Sequence, residues 1–269
     1  VAAKKDVPTD PARTLALLWG LEGKAGRRGL SVDSIVAAGI ALADAEGLDA
    51  VSMRRVAERL DVGAMSLYTH VPGKADLMDL MQDAALAGLY ADLDEPARAP
   101  GGWRGGIEFV AERNWALYQR HPWMLHLAGA RPVLGPNTSR KYEAELRPLD
   151  GIGLTDVEMD SVLTLVLAHV VGTARQLASV AATVEESGLT DAQWWGIVGP
   201  ILDRVMDGEQ FPVSGRVGTA AGTEFDAASD PIHALRFGLD RILDGVAELI
   251  GSRAHRDSAS SRPDQSGAE

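Results

Sequence analysis

The sequence contains no cysteine, which excludes disulfides and thiolate metal sites and suits a reducing compartment, the cytoplasm. Long hydrophobic runs are also missing. The longest, Val162 to Val171, holds His169 and is soon followed by Arg175. It falls short of the roughly 20 apolar residues of a membrane span and reads as a buried helix. The apolar stretch Leu15 to Trp19 is too short for the core of an export signal. Positive charge is scarce, with 26 Lys and Arg against 38 Asp and Glu and a net charge of -12. No Gly-rich phosphate loop, nucleophile elbow or metal-spaced cluster of His and carboxylates occurs. His121 and His126 are five apart with Pro122 between them, the wrong spacing for two ligands on one helical face. The chain is therefore expected to be no enzyme, to need no cofactor or metal, and to have no membrane partner.

What is present is ordinary globular composition, 46% hydrophobic and 24% charged over 269 residues, enough for one domain and a smaller module. The acidity is unevenly placed. Up to Tyr90 there are ten basic and twelve acidic residues, so most of the negative charge lies beyond.

The fold class expected is all-α, since no strand or internal repeat can be read. Ser31 caps a helix that buries Ile35, Val36, Ile40 and Ala43 and stops at Gly47; Ser52 caps a second, in which Val56, Ala57 and Leu60 share a face. After "DVGA" a third short helix runs to about Val71, and after "PGK" a fourth runs to about Ala91. The turn-rich "DLDEPARAPGG" marks a boundary. Beyond it lie a helix from Trp103 to Gln119 ended by Pro122, a segment from about Pro136 to Leu149, and a long helix opened by Thr155 and Glu158 and reaching about Val184. Thr190 and Gln193 repeat that capping spacing. The predicted organisation is a flexible arm over 1–28, a helix-turn-helix domain over 29–91, a helical ligand-binding and dimerisation domain over 101–250 with a flexible loop at 207–229, and a disordered tail over 251–269.

The stretch "SMRRVAERLDVGAMSLYTHVPGKADL" joins two short helices by a tight turn behind a longer helix, the arrangement that lays its last member in the major groove of DNA. Ala57 is small where the helices approach, and Val62 and Leu67 plug into the core, leaving Ala64, Met65, Ser66, Tyr68 and Thr69 facing the groove. Met65 and Ala64 suit thymine methyl groups, Ser66 a base edge or phosphate, and Tyr68 and His70 phosphate oxygens. Arg54 suits a guanine or phosphate, with Ser52 and Met53 beside it. Lys74 and the free amides of the fourth helix can hold one phosphate together. Tyr68 and His70 can instead fill the corner between helices, and Arg27 and Arg28 read equally as a minor-groove arm or as solvated linker charges.

Residues 31 to 91 resemble the N-terminal domain of the TetR family of bacterial transcriptional regulators, above all in "SMRRVAERLDVGAMSLYTHVPGKADLMDLM". The resemblance implies that Arg54, Ala64, Met65, Ser66, Tyr68, His70 and Lys74 meet the operator. One departure is Asp61, where the family often has Gly; Asp tolerates the left-handed conformation needed there. Beyond the boundary, helix order and "RHPWML" resemble the tetracycline-repressor branch. That implies a homodimer, a ligand pocket in each C-terminal domain and release of DNA on ligand binding.

The residues add two readings of their own. Aromatic and polar side chains fit a small-molecule pocket, with Trp103, Asn114, Trp115, Tyr118, His126, His169, Gln176 and Trp194 as candidates, although tryptophans also build cores and His169 also suits a satisfied core histidine. After Asp230 and Pro231, Leu235, Leu239, Ile242, Val246 and Leu249 form a narrow apolar seam that suits a dimer helix, with the long apolar helix as its partner. The expected function is a ligand-responsive repressor that binds a palindromic operator as a homodimer and is released by a small-molecule effector. A constitutive DNA-binding dimer that senses nothing, or a helical enzyme acting on small molecules, remains as an alternative.

Overall fold

The computed structural model describes residues 10–21, 30–127, 132–206 and 210–260, and among them every regular element is helical. Arg27 and Arg28, the possible minor-groove arm, lie outside the described residues. The chain divides into two compact units, up to Leu163 and from Thr164 onward.

The first unit begins with α1, Pro11–Leu18, a correction to the flexible arm expected over 1–28. Asp10 accepts from the Ala12 amide at 3.1 Å and Pro11 presets the first turn, so the segment carries its own start signal. Leu17 is buried. Next comes α2, Val32–Glu46, where Ser31 and Ser34 cap each other and Gly47 ends the helix at φ 83°. It packs with α3, Met53–Arg59, α4, Ala64–Leu67, and α5, Lys74–Ala85. Ile35, Val56, Leu67, Val71, Leu77 and Met81 form the centre of their shared core. The fourth predicted helix was expected to reach about Ala91; α5 stops at Ala85, and a turn with Gly88 at φ 73° follows.

Further along this unit, α6, Gly102–Arg120, ends before Pro122, and a short 3-10 turn, Pro122–His126, follows. Then α7, Pro136–Leu146, begins after Gly135. The long helix α8, Asp156–Ser187, runs through the junction of the two units and starts with Glu158 accepting from the Thr155 amide at 2.8 Å.

In the second unit, α8 continues and is followed by α9, Asp191–Val205, with the expected Thr190 and Gln193 capping box. Next is α10, Pro212–Phe225, which replaces the loop expected over 207–229. Its Thr219 and Thr223 hydroxyls donate to the carbonyls of Gly215 and Thr219 at 2.9 and 2.8 Å, so these polar residues satisfy themselves inside the helix. Finally α11, Pro231–Ser260, extends past the point where a disordered tail was expected at 251. Ser252 folds back onto the Leu249 carbonyl at 2.9 Å in the same way. The rest of the expected tail, 261–269, lies outside the described residues.

The seam on α11 needs correction at two positions. Leu239 and Val246 are 9% and 6% exposed, and Leu243 between them is fully buried, so this part of the stripe faces the protein's own interior. Leu235, Ile242 and Leu249 are half-buried. His169 on α8 lies against α11, its Nε2 3.0 Å from the Leu235 carbonyl oxygen. Its ring occupies the space over Gly238, where a Cβ would come within 2.3 Å of it.

Candidate nucleic-acid interface

Local sequence fixes how α3 and α4 are held. Ser52 Oγ accepts from the Arg55 amide at 3.2 Å, starting α3. The Arg55 guanidinium donates to both carboxylate oxygens of Glu46 at 2.7 and 2.8 Å, tying α3 to the end of α2. Arg55 stands where a capping box would carry Glu, and this two-oxygen pair is its use. The chain then turns through Asp61, whose φ of 53° is the left-handed conformation its residue type tolerates. Leu67 pins α4 to the core with no exposure.

Pinning Leu67 aims the opposite face of α4 outward. Met65 is 77% exposed and Tyr68 44%, and Ser66 and Thr69 are exposed as well. Ala64 and His70 are half-buried at the edges. Thr69 spends its hydroxyl on the Ser66 carbonyl at 2.7 Å. Lys74 is exposed at the first residue of α5, and among the described residues no side chain caps the amides beside it. An ammonium and uncapped amide groups together are a phosphate site.

Two expected contacts change. Met53 is 6% exposed and belongs to the core, so it cannot touch DNA. Ser52 is committed to its cap. Arg54 remains available, with its side chain 84% exposed, but its Nε donates to Glu58 Oε1 at 2.7 Å, and that bond and charge raise the guanidinium's pKa. Arg54 must exchange Glu58 for DNA, and an exposed pair of this kind gives way readily.

A second polar cluster lies in the same unit. Asn114 on α6 is fully buried and donates from Nδ2 to Glu145 Oε1 at 2.6 Å and to the Val110 carbonyl at 2.9 Å. The Tyr90 hydroxyl donates to the same Glu145 oxygen at 2.7 Å, and Lys141 Nζ donates to Glu145 Oε2 at 2.6 Å. Burial, then the adjacent Glu145 charge, pushes the Tyr90 hydroxyl's pKa well above its ordinary value of 10.0. Asn114 Oδ1 is buried and has no partner among the described residues. Beside the cluster is a cavity of about 30 Å³ lined by Leu89, Tyr90, Asn137, Arg140, Lys141 and Ala144 among others.

Residues 35–81 match the model of bacterial regulatory proteins of the tetR family, and residues 95–250 match the tetracyclin repressor-like C-terminal domain. The chain belongs to the TetR family. It is 40% identical over 250 residues, covering 91% of this chain and 88% of the relative, to the HTH-type transcriptional repressor DrrR1 of Streptomyces coeruleorubidus. Among solved structures, apo ActR from Streptomyces coelicolor matches with a TM-score of 0.68 and 26% identity, over 85% of this chain and all of ActR. ActR in complex with actinorhodin matches with a TM-score of 0.66 and 27% identity, over 82% of this chain and 97% of that one. This TetR-family chain is thus a transcriptional regulator with an N-terminal helix-turn-helix and a helical C-terminal domain.

Of the eight TetR pocket candidates, Asn114 is drawn into the polar cluster. Trp103, Trp115 and Tyr118 are half-buried on α6, and His126 is exposed at the end of the 3-10 turn. In the second unit, Gln176 donates to Ser229 Oγ at 2.8 Å, and Trp194 packs edge-on to Trp195 with centroids 5.0 Å apart. Tyr90, Lys141 and Glu145 were missed. Their only mark in the sequence is the four-residue spacing of Lys141 and Glu145, which reads as an exposed surface pair.

Proposed function

We propose that this TetR-family regulator is a repressor that binds a palindromic operator as a homodimer, reading bases with Ala64, Met65, Ser66 and Tyr68, and that a small molecule releases it. The observation that carries the DNA assignment is the outward face of α4 beside Lys74 and the uncapped first turn of α5. Thr69 and His70 supply edge contacts, and Arg54 joins once it leaves Glu58. The acidic balance beyond Tyr90 costs these contacts little, because charge is screened over about 8 Å at physiological salt.

The homodimer is supported by α8. From Ser161 to Ala174 the helix carries no Asp, Glu, Lys or Arg, and its exposed residues include Leu165, Ala168 and Gly172 at helical spacing. By length and composition α8 could cross a bilayer; in a DNA-binding regulator a second copy is the cover that fits. The actinorhodin complex of ActR supports a sensing role for a small-molecule effector. The cavity beside the cluster is far below the roughly 300 Å³ of a drug-sized site. The second reading is a dimer that senses nothing.

The test is a salt titration of binding to a palindrome selected by the protein from random duplex DNA. Log affinity falls with log salt, and Lys74→Ala reduces the slope by about one unit while weakening all sequences alike. Salt-independent association refutes the DNA assignment. For sensing, tryptophan quenching is measured against a panel that includes actinorhodin. A panel in which no compound both quenches and releases DNA supports the second reading.

A further inference from the structure

The helix α1 precedes the segment that matches the tetR model, which starts at residue 35, yet it is bound into the fold at two points. Thr14 Oγ1 donates to Asp76 Oδ1 at 2.7 Å, with both residues 6% exposed, and Asp76 lies in the first turn of α5 beside Lys74. Five residues later, the Trp19 indole N–H donates to the Leu134 carbonyl at 2.9 Å, just ahead of α7. The far end of α5 reaches that same place. Asp83, 4% exposed, accepts from the amides of Asn137 and Thr138 at 3.3 and 2.8 Å and from their side chains at 2.9 and 3.0 Å. One carboxylate on α5 therefore caps the N-terminus of α7, and α1 runs alongside as a second tie across the same joint.

Geometry gives this joint leverage. The nine residues from Asp83 back to Lys74 span about 13.5 Å, so a tilt of about 15° at the Asp83 end moves the Lys74 end by about 3.5 Å. That is close to the rise of one base pair, given about 34 to 36 Å for 10 to 10.5 pairs. We propose that α1 is a strap across the α5 and α7 joint, and that Thr14, Trp19 and Asp83 are positioning residues which fix the tilt of α5 and so the half-site spacing the dimer accepts. The proposal rests on the reading of the protein as a dimeric operator binder, and it makes residues 10–19 part of the positioning machinery rather than a DNA-contacting arm.

The full chain and its Thr14→Val and Trp19→Phe variants are compared on a palindrome selected by the intact protein and on the same palindrome with one base pair inserted at its centre. The ratio of the two affinities is the readout, because a loss of folded protein lowers both alike. The strap predicts that this ratio falls about five-fold in each variant, with the salt slope unchanged. It also predicts amide exchange at residues 137–139 faster by about three-fold or more, with α6 unaffected. An unchanged ratio in both variants overturns the proposal, as does a slope reduced by about one unit, which makes α1 a phosphate contact. If the intact protein selects no palindrome, the DNA reading fails, and unchanged exchange at 137–139 then overturns the strap separately.

Discussion

Asp83 shows what one side chain does in this molecule. A carboxylate 4% exposed is costly unless each oxygen is used, and here both are, against a helix N-terminus whose partial positive charge favours an anion. Asp83→Ala leaves the α7 amides and the Thr138 hydroxyl without their acceptor, and about 3 kcal/mol of stability is expected to be lost in urea denaturation. Gly135 completes the device, since a Cβ there would come 2.2 Å from Asp83 Oδ1. Gly135→Ala should therefore destabilise by roughly 1 to 3 kcal/mol. Because the clash is with Asp83 itself, the double variant should cost less than the two single effects added. Additive effects show that Gly135 matters for a different reason.

At the scale of elements, the turn between α3 and α4 carries a small, measurable strain. Asp61 sits at φ 53° and is exposed, and among the described residues its side chain has no partner that a substitution would remove. Asp61→Gly is expected to stabilise by roughly 0.5 to 1 kcal/mol, read as a raised melting temperature with operator affinity kept. A lowered melting temperature makes the aspartate a stabilising residue. The same stretch shows why this part of the chain was legible. Ser31, Gly47, Ser52, Asp61 and Pro122 each act within one turn of themselves, so spacing alone locates their helices. The misses are long-range or conceal their pattern. Nothing near Thr14 in the chain announces Asp76, 62 residues away, and nothing near Asp83 announces Asn137 and Thr138. The helix α10 was obscured by its Gly, Thr and Ala content, which reads as a loop because its hydroxyls bond within the helix. Met53, expected on the DNA face, adjoins Arg54, and the 100° between neighbours on a helix sends it into the core.

For the whole molecule, the open question of physics is what covers α8. A helix face without a charge for about four turns is unusual at a water interface, where contiguous apolar surface marks contact with a partner. On α11 the buried Leu239, Leu243 and Val246 are already satisfied inside the protomer, so the interface must draw on other residues, and Leu165 at 52% exposure is the largest apolar side chain on the uncharged face of α8. Placing a guanidinium there tests the idea with little disturbance to the protomer, because the long side chain can remain in water when no second copy is present. In a homodimer related by a two-fold axis, one substitution enters the interface twice and buries two like charges. Leu165→Arg is therefore expected to sediment at half the mass of the parent at micromolar concentration while keeping its helical circular dichroism. Operator affinity should fall by at least about a hundred-fold, because each half-site is then bound without its linked neighbour. A variant that still sediments as a dimer removes α8 from the interface.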